Sequence, residues 1–485
     1  MTWKNCNNTL NGVTASEPAQ PRAARTRTGK GRRFAGNTAR LCLACLVLLS
    51  TACAHFSAVD KPLAHWTPER EQHDIRQIEG DRSPELTMLL AFSGGGTRAS
   101  AFAYGVLKEL AATEVTTAQG SRALLGEVDV ISSVSGGSFT AAYYGLHGEQ
   151  IFTDFEERFL RKDVEGILFR KVFNPLNWAR LLSQTYGRSD LAADYYDKDL
   201  FEGATFADLQ RPDAPQVVIN ATDLGTGGRF PFIQGAFDLL CADLSSYPLS
   251  RAVAASSAVP VVFSPIALEN FAGNCGYQPP AWLAEALKDE TLTQRKAKAR
   301  LYQGYLNRHK RPWLHLVDGG ISDNLGLRSF YNTLNIAAEP GSRIRELRHP
   351  DTRHVMIISV NAHAQHKSGW VLERYAPSLL EVIRSVSADQ ISHYSEDTIQ
   401  LVRTTFEHWV QDNSTPQRPV TFHFVDVSFG QVRDDSERDF LNSIGTNFDL
   451  SDEQVDRLIA AARQVLREST EFQAFIKLNQ GAESR

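Results

Sequence analysis

A mostly parallel central sheet covered by helices, the α/β class, is the fold this sequence predicts. Three observations predict it. Short apolar runs at residues 86–92, 128–132, 216–221, 313–317 and 355–360 alternate with segments of helical periodicity. Three of these runs lead straight into turns of small residues: Ser93-Gly94-Gly95-Gly96, Ser133-Val134-Ser135-Gly136-Gly137 and Asp318-Gly319-Gly320. The roughly 400 residues beyond position 84, in a chain that is 42% hydrophobic and 22% charged, suffice for one large core. In such sheets functional groups gather beyond the carboxyl ends of strands, which is where Gly94, Ser135 and Asp318 fall.

Residues 1–52 read as an export signal. Arg22, Arg25, Arg27, Lys30, Arg32, Arg33 and Arg40 stand without an acid among residues 22–40, and an apolar run follows from Leu41 to Leu49. The run is too short to span a bilayer as a helix. It ends Leu49-Ser50-Thr51-Ala52-Cys53, which resembles a bacterial lipobox with Cys53 as the lipidated residue. An ordinary signal peptide and an uncleaved anchor are the alternatives. Ala54 at the following position leans towards the outer membrane of a bacterial cell envelope. Residues 53–84, polar and punctuated by Pro62, Pro68 and Pro84, read as a tether.

Charge agrees with a covalent anchor. The chain carries −5, but residues 1–52 hold eight Lys/Arg and one acid, so the remainder carries −12. An acidic body excludes nucleic acid as a partner and weakens electrostatic attachment to anionic headgroups. Of six cysteines, only Cys241 and Cys275 lie outside the leader and the lipid site. In an oxidising compartment they are open to pairing; two buried thiols is the other reading.

The strand 86–92 opens a turn whose three glycines let backbone amides converge at the start of a helix marked by Ala101, Tyr104, Leu107 and Leu110. The Gly-Lys-Ser/Thr ending of a phosphate loop is absent. The strand at 128–132 leads to Ser135, then to a helix from Phe139 to Leu146. A serine on such a turn exposes its hydroxyl beside a helix N-terminus, which suits a nucleophile and the oxyanion it creates. Ser133 stands where that motif has glycine. Residues 150–212 are rich in aromatics, among them Phe155, Phe159, Phe169, Phe173 and Trp178, and read as helical core, with a lid or acyl-chain wall as the alternative. Residues 281–311 read as a solvated helical insertion, with a headgroup-facing surface as the alternative. Residues 371–485 read as a mainly helical extension with a strand at 421–427 and a capping box at Ser451 to Gln454, assigned to packing on the domain before it.

Taken in order, the glycine loop, the Ser135 elbow, Ile219-Asn220-Ala221-Thr222-Asp223-Leu224, Ala254 to Pro260 and Asp318-Gly319-Gly320 resemble the patatin-like phospholipase family. The resemblance covers about residues 86–362 and implies a catalytic domain over 85–370. It implies Ser135 as nucleophile and Asp318 as base. It also implies that the Gly94, Gly95 and Gly96 amides form the oxyanion hole, with Arg98 supporting that loop. Ser93, Ser133 and Ala99 depart from the family pattern and bear on loop geometry. A histidine triad would draw on a residue after Asp318, with His363 and His366 the best placed, although neither has a flanking signature. The expected activity is ester hydrolysis of phospholipids or related acyl lipids through an acyl-enzyme, with no metal or organic cofactor. An esterase or thioesterase on soluble substrates, and a non-catalytic lipid-binding envelope protein, are the alternatives. Oligomeric state is not legible.

Overall fold

The computed structural model describes residues 59–68, 82–117, 120–291, 293–337, 351–365, 374 and 378–480. Ten strands occur among them: β1 (Leu86–Phe92), β2 (Glu114–Thr117), β3 (Gly120–Ala123), β4 (Val128–Val134), β5 (Gln216–Asp223), β6 (Gly228–Phe232), β7 (Ile266–Glu269), β8 (Trp313–Val317), β9 (His354–Asn361) and β10 (Thr421–Ser428). Eight of them form one sheet in the order β10-β9-β1-β4-β5-β8-β7, with β6 also on β5; β2 and β3 make a separate hairpin. From β10 to β5 every pairing is parallel. The expected mostly parallel sheet is therefore present, and each expected strand lies within two residues of its predicted bounds.

Helices cover the sheet. Those that matter here are α1 (Gly96–Ala111), α2 (Gly136–His147), α3 (Val164–Phe173), α4 (Pro175–Leu181), α5 (Arg188–Tyr196), α6 (Leu249–Ser256), α7 (Leu379–Asn413) and α8 (Asp452–Glu468). β1 and β4 are buried along nearly their whole length, as the central strands of a sheet covered on both faces must be. The main core joins β1, α1, α2 and α8 through Leu90, Phe102, Phe139 and Leu458. At its centre Phe139 stacks on Phe159, with ring centroids 4.4 Å apart.

Three features depart from the sequence reading. First, β8 runs antiparallel to β5, pairing Thr222 with Val317 and Asp223 with Leu316. Asp318 is thus not carried to the site by a parallel strand. It arrives from the opposite direction, and because only the end of β8 overlaps β5 it stops level with the carboxyl end of its neighbour. Second, the supposed tether is docked over residues 59–68. Leu63 N–H donates to the Cys241 carbonyl at 2.7 Å and Trp66 N–H to the Cys275 carbonyl at 2.9 Å. The Trp66 indole also donates to Asp238 at 2.9 Å and meets Tyr277 edge-on. Burying Leu63 and Trp66 against this surface removes apolar area from water, which a free polar linker would not do. Beneath the strap Cys241 and Cys275 form a disulfide, closing the choice left open by the sequence. Third, the C-terminal extension does more than pack on the catalytic domain, because β10 joins the central sheet beside β9.

Residues 1–58, including Cys53, lie outside the described residues. Among the described residues no helix is long and apolar enough to cross a membrane.

Candidate active site

Two strand-to-helix turns meet at the carboxyl ends of β1 and β4. The register sets Phe92 opposite Ser133, so both chains leave the sheet side by side. After β4 the backbone turns so sharply that Ser135 takes φ 47° and ψ −120°. A side-chain-bearing residue pays a strain cost in this region, of order 1–3 kcal/mol, and holds it only when its surroundings over-determine the turn. They do so here. Ser135 N–H donates to Ser256 Oγ at 2.8 Å, and Ser256 Oγ–H donates to the Asn220 carbonyl at 2.6 Å. The Asn220 side-chain amide donates to the Ser133 carbonyl and to Ser132 Oγ, both at 3.0 Å. Ser133, in place of the elbow glycine, is fully buried and donates to the Val218 carbonyl at 3.3 Å, so the turn accommodates its hydroxyl.

Ser135 Oγ–H donates to Asp318 Oδ2 at 2.8 Å. The other carboxylate oxygen, Oδ1, accepts from Gly320 N–H at 2.7 Å, which fixes the plane of the acid. Asp318 N–H donates to the Ala258 carbonyl, and its own carbonyl accepts from Thr222 Oγ1 at 2.8 Å. Both side chains of the pair are buried. Burial pushes the Asp318 carboxyl up to about 6, against the opposing pull of the Gly320 amide and the Ser135 hydroxyl. The hydrogen-bond acceptor of the Ser135 hydroxyl is thus a carboxylate and not an imidazole. His363 lies on the loop after β9, and His366 falls outside the described residues.

The glycine loop is held from several sides. Ser93 N–H donates to the Val360 carbonyl, Gly94 N–H to the Asn324 carbonyl at 3.0 Å, and Thr97 N–H to the Asn447 carbonyl at 2.9 Å. The Gly94 amide is therefore committed to the fold. This corrects the expectation that all three glycine amides face an oxyanion, because one N–H cannot serve both partners. Gly95 and Gly96 make no such bond among the described residues, and neither does Gly136, the residue after Ser135. Ser93 Oγ accepts from Ala362 N–H at 2.9 Å, so a hydroxyl ties this corner to β9. Gly96 sits at φ +62°, and a Cβ there would lie 2.3 Å from the Asn447 carbonyl oxygen. A Cβ on Gly136 would lie 2.0 Å from the Gly96 carbonyl oxygen. The two turns interlock so tightly that only glycine fits at either point.

Arg98 supports the loop in a buried position. Its guanidinium donates to the Ala362 carbonyl at 2.9 Å, to the Ile444 carbonyl, and to Thr446 Oγ1 at 3.2 Å. The sequence reading missed Asn220, Ser256, Asn324 and Asn447. Asn220 and Ser256 sit inside motifs quoted above, but their roles show only through hydrogen bonds across the fold. Asn447 carries no signal at all, because it acts through its backbone carbonyl. Among the described residues no group of three or more His, Cys, Asp or Glu side chains is placed to hold a metal ion.

No curated protein sequence matches the chain. Among solved structures it is similar to human GIVD cytosolic phospholipase A2, at 14% identity and a TM-score of 0.42, over 88% of this chain and 69% of that one. The same human protein in complex with methyl gamma-linolenyl fluorophosphonate matches at 14% identity and a TM-score of 0.39, over 88% of this chain and 66% of that one. The patatin-like phospholipase model matches residues 90–331, from β1 past Asp318. Through that domain the chain belongs to the patatin-like phospholipase family.

Proposed function

We propose that the chain is a serine acyl hydrolase that cleaves ester bonds of phospholipids or related acyl lipids with a Ser135–Asp318 dyad. The observation that carries this reading is the 2.8 Å hydrogen bond from Ser135 Oγ–H to a buried carboxylate, on a strained strand-to-helix turn. Asp318 takes the Ser135 proton as Oγ attacks the acyl carbon. The oxyanion that forms is met by the Gly95, Gly96 and Gly136 amides at the N-termini of α1 and α2, where the helix dipoles favour negative charge. On collapse, Asp318 returns the proton to the leaving alkoxide, and an acyl group remains on Ser135. Water then attacks this ester while Asp318 accepts its proton. The second collapse frees the acid and restores the Ser135 hydroxyl. The family match supports a lipid substrate.

The same reading places the protein in a bacterial cell envelope, anchored at the outer membrane through acylated Cys53. The basic, apolar and small-residue order of positions 22–53 supports this. Intact-mass measurement of protein from the native membrane fraction, with Cys53→Ser alongside, tests the anchor.

For the chemistry, hydrolysis of a fluorogenic medium-chain ester and a labelled phospholipid is measured for wild type, Ser135→Ala and Asp318→Asn. Both variants should lose at least about 10³-fold in kcat on either substrate, with melting temperatures preserved. Activity surviving Ser135→Ala defeats the dyad. Ester hydrolysis without phospholipid hydrolysis favours a soluble acyl substrate.

A further inference from the structure

The segment between α2 and β5 divides its aromatics in an unexpected way. Phe155, Phe159, Tyr195 and Tyr196 are buried in the core, as expected of helical filling. The hairpin of α3 and α4 behaves differently. α3 buries Val164 and Leu168, which are four residues apart, while Phe169 and Phe173, with the same spacing, are 64% and 60% exposed. Those two rings pack on each other, with centroids 4.7 Å apart. On α4 and just after it, Leu176, Trp178 and Leu182 are 84%, 50% and 59% exposed. Single exposed apolar residues need no account, but five large ones on two adjoining short helices form a patch of the kind that marks an interaction site.

Charge narrows the partner. Residues 166–189 contain Arg170, Lys171, Arg180 and Arg188 and not one Asp or Glu, in a chain whose net charge is −5. Arg170 and Arg180 reach back to Asp163 and Asp194 at the foot of the hairpin. Lys171 lies over the Tyr195 ring, and Arg188 donates to the Val261 carbonyl at 2.9 Å. Phe, Trp and Leu interleaved with Lys and Arg on a helical surface suit the boundary between headgroups and acyl chains.

The base of the hairpin is tied to segments that also hold the candidate site. Val261 is 84% exposed and held at φ +75°, rare for a β-branched residue. It lies three residues beyond Ala258, whose carbonyl accepts from Asp318 N–H. On the other side, the Phe448 carbonyl accepts from Val164 and Glu165 N–H at the start of α3, one residue after the Asn447 carbonyl that holds the glycine loop.

We infer that the α3–α4 hairpin is an interfacial docking surface that seats this domain on an anionic bilayer, with Phe169, Phe173, Leu176, Trp178 and Leu182 entering the headgroup–acyl boundary. The inference rests on the lipid-ester reading and adds the surface through which lipid reaches Ser135. An acyl anchor at Cys53 would hold the protein near a membrane; the hairpin would orient the mouth of the site towards it.

The test uses the full chain with Cys53→Ser, so that no acyl chain contributes. Binding is measured by co-sedimentation with vesicles of phosphatidylcholine alone and of phosphatidylcholine with one fifth phosphatidylglycerol. Wild type should bind the anionic vesicles at least tenfold more strongly. Phe173→Asp/Leu176→Asp should lose at least tenfold in that binding, and Arg170→Glu/Lys171→Glu should lose the preference for anionic lipid. Hydrolysis of a monomeric soluble ester should stay within twofold of wild type in both, which separates lost docking from lost folding. Equal vesicle binding by wild type and the Asp variant overturns the inference. So does a concentration-dependent dimer that the Asp variant abolishes, since the occupant would then be a second copy. Vesicle binding without any ester hydrolysis leaves the docking surface standing and defeats the catalytic reading.

Discussion

The two turns that build the candidate site, β1 to α1 and β4 to α2, are neighbours with the same outline and different supports. Each leaves a buried parallel strand, spends glycines and opens a helix. The β4–α2 turn presents one side chain, Ser135, and is held by the strands and helix beside it: Asn220 on β5 and Ser256 at the end of α6. The β1–α1 turn presents backbone amides, and distant segments hold it: Asn324, Ala362, Ile444, Thr446 and Asn447. A hydroxyl needs one strained residue and a base. An amide pair needs its other amides removed from competition, which the Asn324 and Asn447 carbonyls achieve for Gly94 and Thr97. The glycine loop should therefore be sensitive to changes hundreds of residues away, as the elbow is to changes at Asn220 and Ser256.

The largest effect on the glycine loop is expected from Gly96→Ala. Its methyl would meet the Asn447 carbonyl at 2.3 Å and force the loop away from Ser135. A fall in kcat of about 10²–10³ is expected on a soluble ester, comparable to deleting an oxyanion donor. A fluorophosphonate probe should still label Ser135, slowly. Unchanged kcat would show that these amides do not face the oxyanion.

The second test concerns the base. Asp318 must be ionised to accept the serine proton, and burial raises its carboxyl to about 6. As pH falls through that value the protonated fraction grows, so kcat/KM should drop tenfold per unit below about 6 and level off above it. A pH profile with its break near the ordinary carboxylate value of about 4 would mean that the acid is solvated while the enzyme turns over.

The smallest effect, and the one most specific to the long-range support, is Arg98→Lys. Lysine keeps the charge but cannot fork to Ala362, Ile444 and Thr446 together. About a tenfold loss of kcat with KM unchanged is expected. A parallel rise in KM would assign Arg98 to substrate binding instead of loop positioning.

Much of this site was legible in the sequence, and the reason is local. The strand–turn–helix grammar of residues 86–111 and 128–147 depends on apolar runs, glycine at crowded turns and helical periodicity, all short-range properties. Asp318 was legible only through its place in an ordered set of motifs. The run 313–317 reads as a strand, but its direction in the sheet cannot be read from it. Asn324 and Asn447 were invisible because both act on the loop through backbone carbonyls, and every residue but its neighbours' geometry is silent about that. The 150–212 segment shows the same limit. Phe155 and Phe173 are the same residue type, yet one is fully buried and the other exposed, according to whether another element was available to cover it.

By itself, then, the sequence determined the α/β class, the positions of the parallel strands, the serine on its elbow and the acid downstream. Those follow from patterning and from steric demands that span a few residues. Tertiary structure alone decided that β8 enters antiparallel, that Cys241 meets Cys275 under the 59–68 strap, that the Gly94 amide is occupied while those of Gly95 and Gly96 have no backbone partner among the described residues, and that α3 and α4 leave an apolar face exposed. Each of these depends on which surfaces meet when segments far apart in the chain compete to bury apolar area and satisfy buried amides, and no local pattern encodes the outcome of that competition.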